Sequence, residues 1–172
     1  VQTQVLALAR ALNGLGHKAR VLGPCDDAPP ETGVTPLGAS IPTFANGSIA
    51  PIAPDLACTL RTIRAFRDEE FDVVHIHEPI CPGPCQTALF LRSAPIVGTW
   101  HAAGGSKAYM TPGVRWLATR MNIRTAVSQD AKEMAFEALG GDYEVVFNGV
   151  EIDKFRDAEA APSEGATIAY VG

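Results

Sequence analysis

Residues 71–79 read FDVVHIHEP and residues 95–101 read PIVGTWH, and the architecture of the chain is built around these two runs. Each run is short and apolar and ends in histidine, and an interval of helical character separates them. Two parallel strands joined by a crossover helix have this pattern, and polar groups gather at the carboxyl ends of such strands. We therefore predict that His75, His77 and His101 lie at the ligand-binding edge of a parallel sheet.

Strand and helix patterns alternate on both sides of these runs. Apolar residues at helical spacing cover residues 1–15, 111–120 and 129–139, and strand patterns cover residues 18–22, 122–127 and 143–147. Because helices alternate with strands, the chain is predicted to be α/β, a doubly wound parallel sheet of the Rossmann-like type.

Both ends of the chain predict that it is a piece of a longer protein. It has no initiator methionine and begins in a helix that feeds a strand, which implies a preceding central strand because crossover helices join parallel strands. The predicted domains are a Rossmann-like domain at residues 1–156 without its first strand, a linker at 157–165, and at 166–172 the first strand of an absent second domain.

Composition excludes several classes of function. The net charge of −5 disfavours a nucleic acid partner. No apolar run approaches the length of a membrane span and no secretory signal is present, which predicts a cytoplasmic location. The cysteines at positions 25, 58, 81 and 85 are irregularly placed, as expected for reduced thiols.

Two surface features are predicted upstream of the histidine runs. Residues 25–54 are rich in Pro, Gly, Ser and Ala, with only weak strand signals near residues 34–37 and 40–42, as in a functional loop or lid. Residues 46–48 read as a turn. The next helix runs from Asp55 or Thr59 to about Arg67, with Leu56, Leu60, Ile63 and Phe66 predicted on its buried side. Arg61, Arg64 and Arg67 form a basic ridge on it, which fits a solvated face as well as an anion or membrane surface.

The residues around His77 allow two chemical alternatives. His75, His77, Cys81 and Cys85 have the composition of a zinc site but lack a close Cys-x2-Cys pair, so histidines that hold the strand end, with Glu78 as acceptor, are favoured. Cys85, near a helix start, is a weaker candidate nucleophile with His77 or His101 as base.

His101 is the preferred functional candidate. It follows a buried strand directly and is flanked by Ala102 and Ala103, so the crevice beside it has room for a ligand. From position alone, a histidine satisfied by backbone groups explains it equally well. The glycine-rich loop at 104–107 is predicted to carry Lys107 close to an anion, although a surface lysine is the commoner explanation.

Several motifs together resemble a known family. In their residues and in their order along the chain, five segments resemble the N-terminal domain of family-4 glycosyltransferases of the GT-B fold. These segments are residues 12–22, 71–79, 99–101, 125–128 and 147–151. Within that family they are most similar to the branch that mannosylates phosphatidylinositol.

The resemblance implies a retaining, metal-independent and cofactor-free transfer of mannose from the nucleotide-sugar donor GDP-mannose to the inositol of phosphatidyl-myo-inositol. It implies a peripheral enzyme on the inner face of the plasma membrane. His101 would be the catalytic histidine, and Gln2, Asn46 and Lys107 would bind the acceptor. Arg61, Arg64 and Arg67 would contact anionic membrane.

Departures from that branch keep other functions open. Ala102 stands where a hydroxyl residue is expected, and the loop around Asn46 lacks the expected arginines. The alternatives are a glycosyltransferase with another sugar or a soluble acceptor, and a non-catalytic α/β ligand-binding module. Since the half that stabilises the leaving diphosphate is predicted to be absent, the 172-residue chain alone is expected to be inactive.

Overall fold

The computed structural model describes residues 1–45, 48–104, 109, 111–159, 162, 165–166 and 168. Helices and strands alternate along the chain. In order, the elements are α1 (Gln2–Gly14), β1 (Val21–Gly23), β2 (Val34–Pro36), β3 (Ile41–Ala45), β4 (Ser48–Ile52), α2 (Leu56–Asp68), β5 (Val74–His77), α3 (Pro84–Leu91), β6 (Ile96–Trp100), α4 (Val114–Ala118), β7 (Ile123–Ala126), α5 (Gln129–Leu139), β8 (Glu144–Val145) and α6 (Ile152–Arg156).

The predicted parallel sheet is confirmed. Strands β5, β6, β7 and β8 are neighbours in that order, and every pairing is parallel. The register places His77 beside Thr99 and Thr99 beside Thr125, so the strands end close together at one edge. Strands β1 and β2 form a separate parallel pair, and β3 with β4 forms an antiparallel hairpin.

The main core lies between this sheet and the helices α3, α4 and α5. Trp100, Leu89 and Ile96 are almost completely buried there. Trp100 meets Tyr143 edge to face, with ring centroids 5.1 Å apart. Gly98 on β6 is needed for this packing, because a Cβ at that position would overlap the side chains of Met121 and Pro79.

Residues 25–54 are more regular than predicted. They hold β2, β3 and β4. The weak strand signals near residues 34–37 and 40–42 agree with β2 and the start of β3, whereas β4 was not predicted. Of residues 46–48, predicted as a turn, 46 and 47 lie outside the described part of the chain and Ser48 is the first residue of β4. Most of the strand predicted at residues 166–172 is outside it as well.

Helix α2 faces the other way from the prediction. Leu56, Leu60 and Ile63 are 71%, 56% and 37% exposed, whereas Cys58 and Thr62 are buried. Cys58 packs with Leu37 and Ala53 in a small second core. Phe66, also predicted inside, does pack against the main core. Hydrophobicity predicted the two leucines and Ile63 inside as well, but in their place the small side chains of Cys58 and Thr62 are buried.

Within the part of the chain that the structure describes, no helix is both long and apolar enough to cross a bilayer.

Gly83, directly before α3, gives a first test of the fold. Its φ of +113° is a conformation that residues with a Cβ rarely adopt, and a Cβ there would overlap the carbonyl oxygen of buried Ala53. Gly83→Ala should therefore lower the free energy of unfolding by about 3 kcal/mol in chemical denaturation.

Gly14→Ala is the matched control for that substitution. Gly14 is at the end of α1 and has open space where a Cβ would lie, so this variant should be neutral or slightly stabilising. Equal stabilities of the two variants would show that the loop before α3 is not constrained as described.

Candidate active site

The histidine-tipped strands meet in a direct contact between imidazole rings. His77 is the last residue of β5, and His101 follows the last residue of β6. The Nδ1 atom of His77 and the Nε2 atom of His101 form a hydrogen bond of 2.9 Å. The ring of His77 also lies against that of His75, with centroids 4.2 Å apart. Three histidines are thus brought together, as the strand-end pattern predicted.

Glu78 ties the ends of the two strands together. Its Oε1 atom accepts hydrogen bonds from the backbone N–H groups of His101 at 2.8 Å and Ala102 at 2.9 Å. Its own N–H donates to the carbonyl of Thr99 at 2.9 Å. Glu78 has a φ of 53°, a left-handed conformation that non-glycine residues seldom adopt. The predicted acceptor role of Glu78 is present, but its donors are backbone groups.

A row of polar side chains crosses the sheet beneath these rings. His75 Nε2 lies 2.6 Å from Thr99 Oγ1, and Thr99 Oγ1 lies 2.7 Å from Thr125 Oγ1. Both threonines are buried, so these bonds satisfy hydroxyl groups that would otherwise be costly to remove from water. The Nε2 atom of His75 is therefore engaged by a side chain within the sheet, whereas His101 lies beyond the end of its strand.

Burial keeps the site histidines neutral. It is the largest cause that lowers the pKa of His77 to about 3 and that of His101 to about 4. Burial also raises the pKa of Glu78, although the hydrogen bonds from His101 and Ala102 oppose that shift. At neutral pH, His101 therefore offers a neutral imidazole that can donate or accept a hydrogen bond.

The cysteine alternatives do not fit this environment. Burial raises the pKa of Cys81 to about 11 and that of Cys85 to about 12, so the lowered pKa expected for a nucleophile at Cys85 is wrong. The thiol of Cys85 donates to the carbonyl of His77 at 3.4 Å. Among the described residues, no three His, Cys, Asp or Glu side chains converge to hold a metal ion.

The predicted acceptor-binding residues are only partly visible. Gln2 is the first residue of α1, and the backbone nitrogen of Val1 beside it lies near His77 and His101. The start of α1 therefore faces the same edge of the sheet as His101. Asn46 and Lys107 lie outside the described residues.

The three arginines predicted as a ridge on α2 do not act alike. Arg61 donates to the carbonyl of Leu37 at 3.1 Å, on the flank of the helix. Arg64 and Arg67 are exposed, and both pair with Asp68. They share the outward surface of α2 with three apolar side chains, and together these residues define the α2 outer face: Leu56, Leu60, Ile63, Arg64 and Arg67.

Contacts between α1 and the segment after β8 were not predicted. The side-chain amide of Gln4, oriented to satisfy both of its groups, donates to the carbonyl of Gly149 at 2.9 Å and accepts from its N–H at 3.1 Å. Arg10 binds both carboxylate oxygens of Glu151, at 3.2 and 2.8 Å, and also pairs with Glu31. Polar residues at helical spacing in α1 were the only sequence signal for this contact.

Comparison with known proteins identifies the family. Residues 1–154 match the profile of Glycosyltransferase Family 4. Since the match covers most of the chain, the protein belongs to Glycosyltransferase Family 4. The four-stranded parallel sheet with its helices is consistent with a Rossmann-like half of a GT-B fold.

The chain is also similar to curated proteins within this family. The phosphatidyl-myo-inositol mannosyltransferase of Mycobacterium tuberculosis H37Rv is 33% identical over 180 residues, which cover 100% of this chain and 47% of the relative. Its namesake in Mycolicibacterium smegmatis is 34% identical over 182 residues, with 100% and 46% covered. The one in Propionibacterium freudenreichii is 31% identical over 163 residues, with 88% and 43% covered. The chain spans about half the length of the curated relatives it matches.

The change in protein stability with pH tests whether the buried histidines are neutral in the folded chain. His77 and His101 have pKa values of about 3 and about 4 when folded, against 6.5 ordinarily, so only the unfolded chain takes up their protons as the pH falls below 6.5. His77 alone should lower the free energy of unfolding by about 2 kcal/mol between about pH 7 and about pH 5, and the more exposed His101 should add a smaller, solvent-screened contribution, measured by urea denaturation.

His77→Phe should remove part of that loss, because one of the two groups is then absent. Glu78, whose pKa is raised, acts in the opposite direction and becomes protonated first in the folded chain. A chain that is equally stable at both pH values would contradict the neutral histidine pair.

Proposed function

We propose that the protein is a retaining glycosyltransferase that moves mannose from GDP-mannose to the inositol of phosphatidyl-myo-inositol, without a metal ion. The similarity to mannosyltransferases along the whole chain carries the proposal, together with the family. Inositol and mannose are polyhydroxyl ligands, and the sheet edge offers a neutral imidazole at His101 beside the start of α1.

His101 is the residue proposed to contact the transferred sugar and the acceptor. Its backbone is fixed by Glu78, and its ring projects beyond a strand that is buried along its length. A neutral imidazole can bind a hydroxyl group of either substrate without the desolvation cost of a buried cation. Gln2, at the start of α1, is proposed to help place the inositol phosphate, and Asn46 and Lys107 to complete the acceptor site.

The α2 outer face is proposed to bind anionic membrane, where a lipid acceptor resides. Exposed leucine and isoleucine side chains beside arginines are the composition of interfacial helices, which bury apolar area while cations meet lipid phosphates. Asp68 opposes this role, because it neutralises part of the charge of Arg64 and Arg67. Arg61, tied to the carbonyl of Leu37, contributes less.

A transfer assay tests the reaction. The full-length protein is incubated with radiolabelled GDP-mannose and phosphatidylinositol vesicles, and label is measured in the extracted lipid. We expect transfer that EDTA does not abolish, and an α-anomeric product, since a retaining reaction keeps the configuration of the donor. His101→Ala should lower kcat by about 100-fold, because the substrate loses a positioned polar contact.

Two comparisons make that assay decisive. UDP-glucose in place of GDP-mannose should give no labelled lipid, and the 172-residue chain alone should give no transfer. Transfer only to soluble inositol or to another sugar would overturn the acceptor, and no transfer with any nucleotide sugar would favour a binding module.

Vesicle binding tests the membrane surface. Sedimentation with vesicles that contain phosphatidylinositol should show about fivefold weaker binding for Arg67→Gln, since each cation near an anionic surface contributes about 1 kcal/mol. Arg61→Gln is the matched control, because it removes the same charge from the same helix at a side chain turned to Leu37.

A second substitution on α2 is expected to have the opposite effect on vesicle binding. Asp68→Asn frees Arg64 and Arg67 from their shared partner and should strengthen vesicle binding by a similar factor. Equal binding by the Arg67 and Arg61 variants, or weaker binding by Asp68→Asn, would remove α2 from the proposal.

A further inference from the structure

The ring of His77 is not needed to hold the strand end in place. Its backbone is already secured, because β5 pairs with β6 and the thiol of Cys85 donates to its carbonyl. Its ring, however, is placed between two other imidazoles, with centroids 4.2 Å from His75 and 5.1 Å from His101. Only the contact with His101 is a hydrogen bond between rings, 2.9 Å from Nδ1 to Nε2.

That bond determines which nitrogen of His101 remains for a ligand. With Nε2 engaged by His77, Nδ1 is the nitrogen left to meet a substrate. Because both rings are neutral, one nitrogen of the pair donates the shared proton and the other accepts it, so the tautomers of the two rings are coupled. His101 carries its proton on Nδ1 when His77 donates, and on Nε2 when His101 donates.

The backbone and the ring of His101 are held by different residues. Glu78 binds the N–H groups of His101 and Ala102, whereas His77 binds only the ring. Loss of the His77 ring nitrogen therefore leaves the main chain of His101 in place and frees the imidazole to rotate. This separation distinguishes an effect on ring orientation from a general loss of structure.

Resting on the function proposed above, we propose that His77 is a positioning residue, which fixes the ring orientation and tautomer of His101 so that Nδ1 faces the substrates. The titratable groups around His77 are His75 on the same strand, Glu78 and Cys85 after it, and His101 at the end of β6. Of these, His101 is the group whose ring it bonds.

The tautomer of His101 tests this directly. The chain has four histidines, so long-range proton–nitrogen NMR spectra can be assigned by single substitutions. We expect one tautomer of His101 in the unaltered protein and an averaged mixture in His77→Phe, which keeps a ring against His75 but removes the nitrogen. His75→Phe is the matched control on the same face of β5 and should leave the His101 signals unchanged.

Conservative variants keep the test informative if His77→Phe does not fold. An asparagine amide lies where Nδ1 of histidine lies, and a glutamine amide lies nearer to Nε2, so His77→Asn should retain the single tautomer and His77→Gln should lose it. An unchanged His101 tautomer in both His77→Phe and His77→Gln, or a mixture in the unaltered protein, would overturn the proposal.

Kinetics provide the second measurement. His77→Phe should lower kcat about 10- to 100-fold with little change in KM, because misorientation affects the reacting geometry more than ground-state binding. His77→Asn should restore most of the loss. A protein without mannosyl transfer whose His101 tautomer still depends on His77 would refute the proposed function alone. Unchanged kcat in His77→Phe, in a protein that does transfer mannose, would refute the positioning role alone.

Discussion

The carboxylate of Glu78 is the constraint on which the strand-end site depends. One of its oxygen atoms accepts hydrogen bonds from the backbone N–H groups of His101 and Ala102. These residues follow the end of β6, where the neighbouring strand no longer supplies hydrogen-bond acceptors. Backbone groups left unpaired away from water are costly, so this side chain replaces the next rung of the ladder. The left-handed backbone of Glu78 is the strain that accompanies this arrangement.

This arrangement also determines the electrostatics of the edge. The negative charge of Glu78 is directed at peptide N–H groups instead of at imidazole rings, so Glu78 does not act as a counter-ion that would favour protonation of the histidines. Burial then dominates, and the pKa values of His77 and His101 fall. A carboxylate and three imidazoles thus share one edge of the sheet without forming a charge relay.

Much of the fold could be predicted from the sequence, because short apolar runs with polar ends, at β5 and β6, alternate with helical patterns as in a parallel sheet. The orientation of α2 could not, because packing there depends on the small size of Cys58 and Thr62 and not on hydrophobicity. The bond between His77 and His101 joins residues 24 apart, and depends on a strand register that spacing alone does not define.

The ion pair between Arg10 and Glu151 has a consequence for the order in which the chain folds. It joins α1 to Glu151 across 141 residues, while the four strands of the main sheet each pair with the next strand in sequence. Contacts between distant residues carry a larger loop-closure entropy than contacts between neighbours, and they form late. Helix α1 is thus expected to dock last, onto a sheet that has already assembled, so the edge beside His101 is completed in the final step of folding.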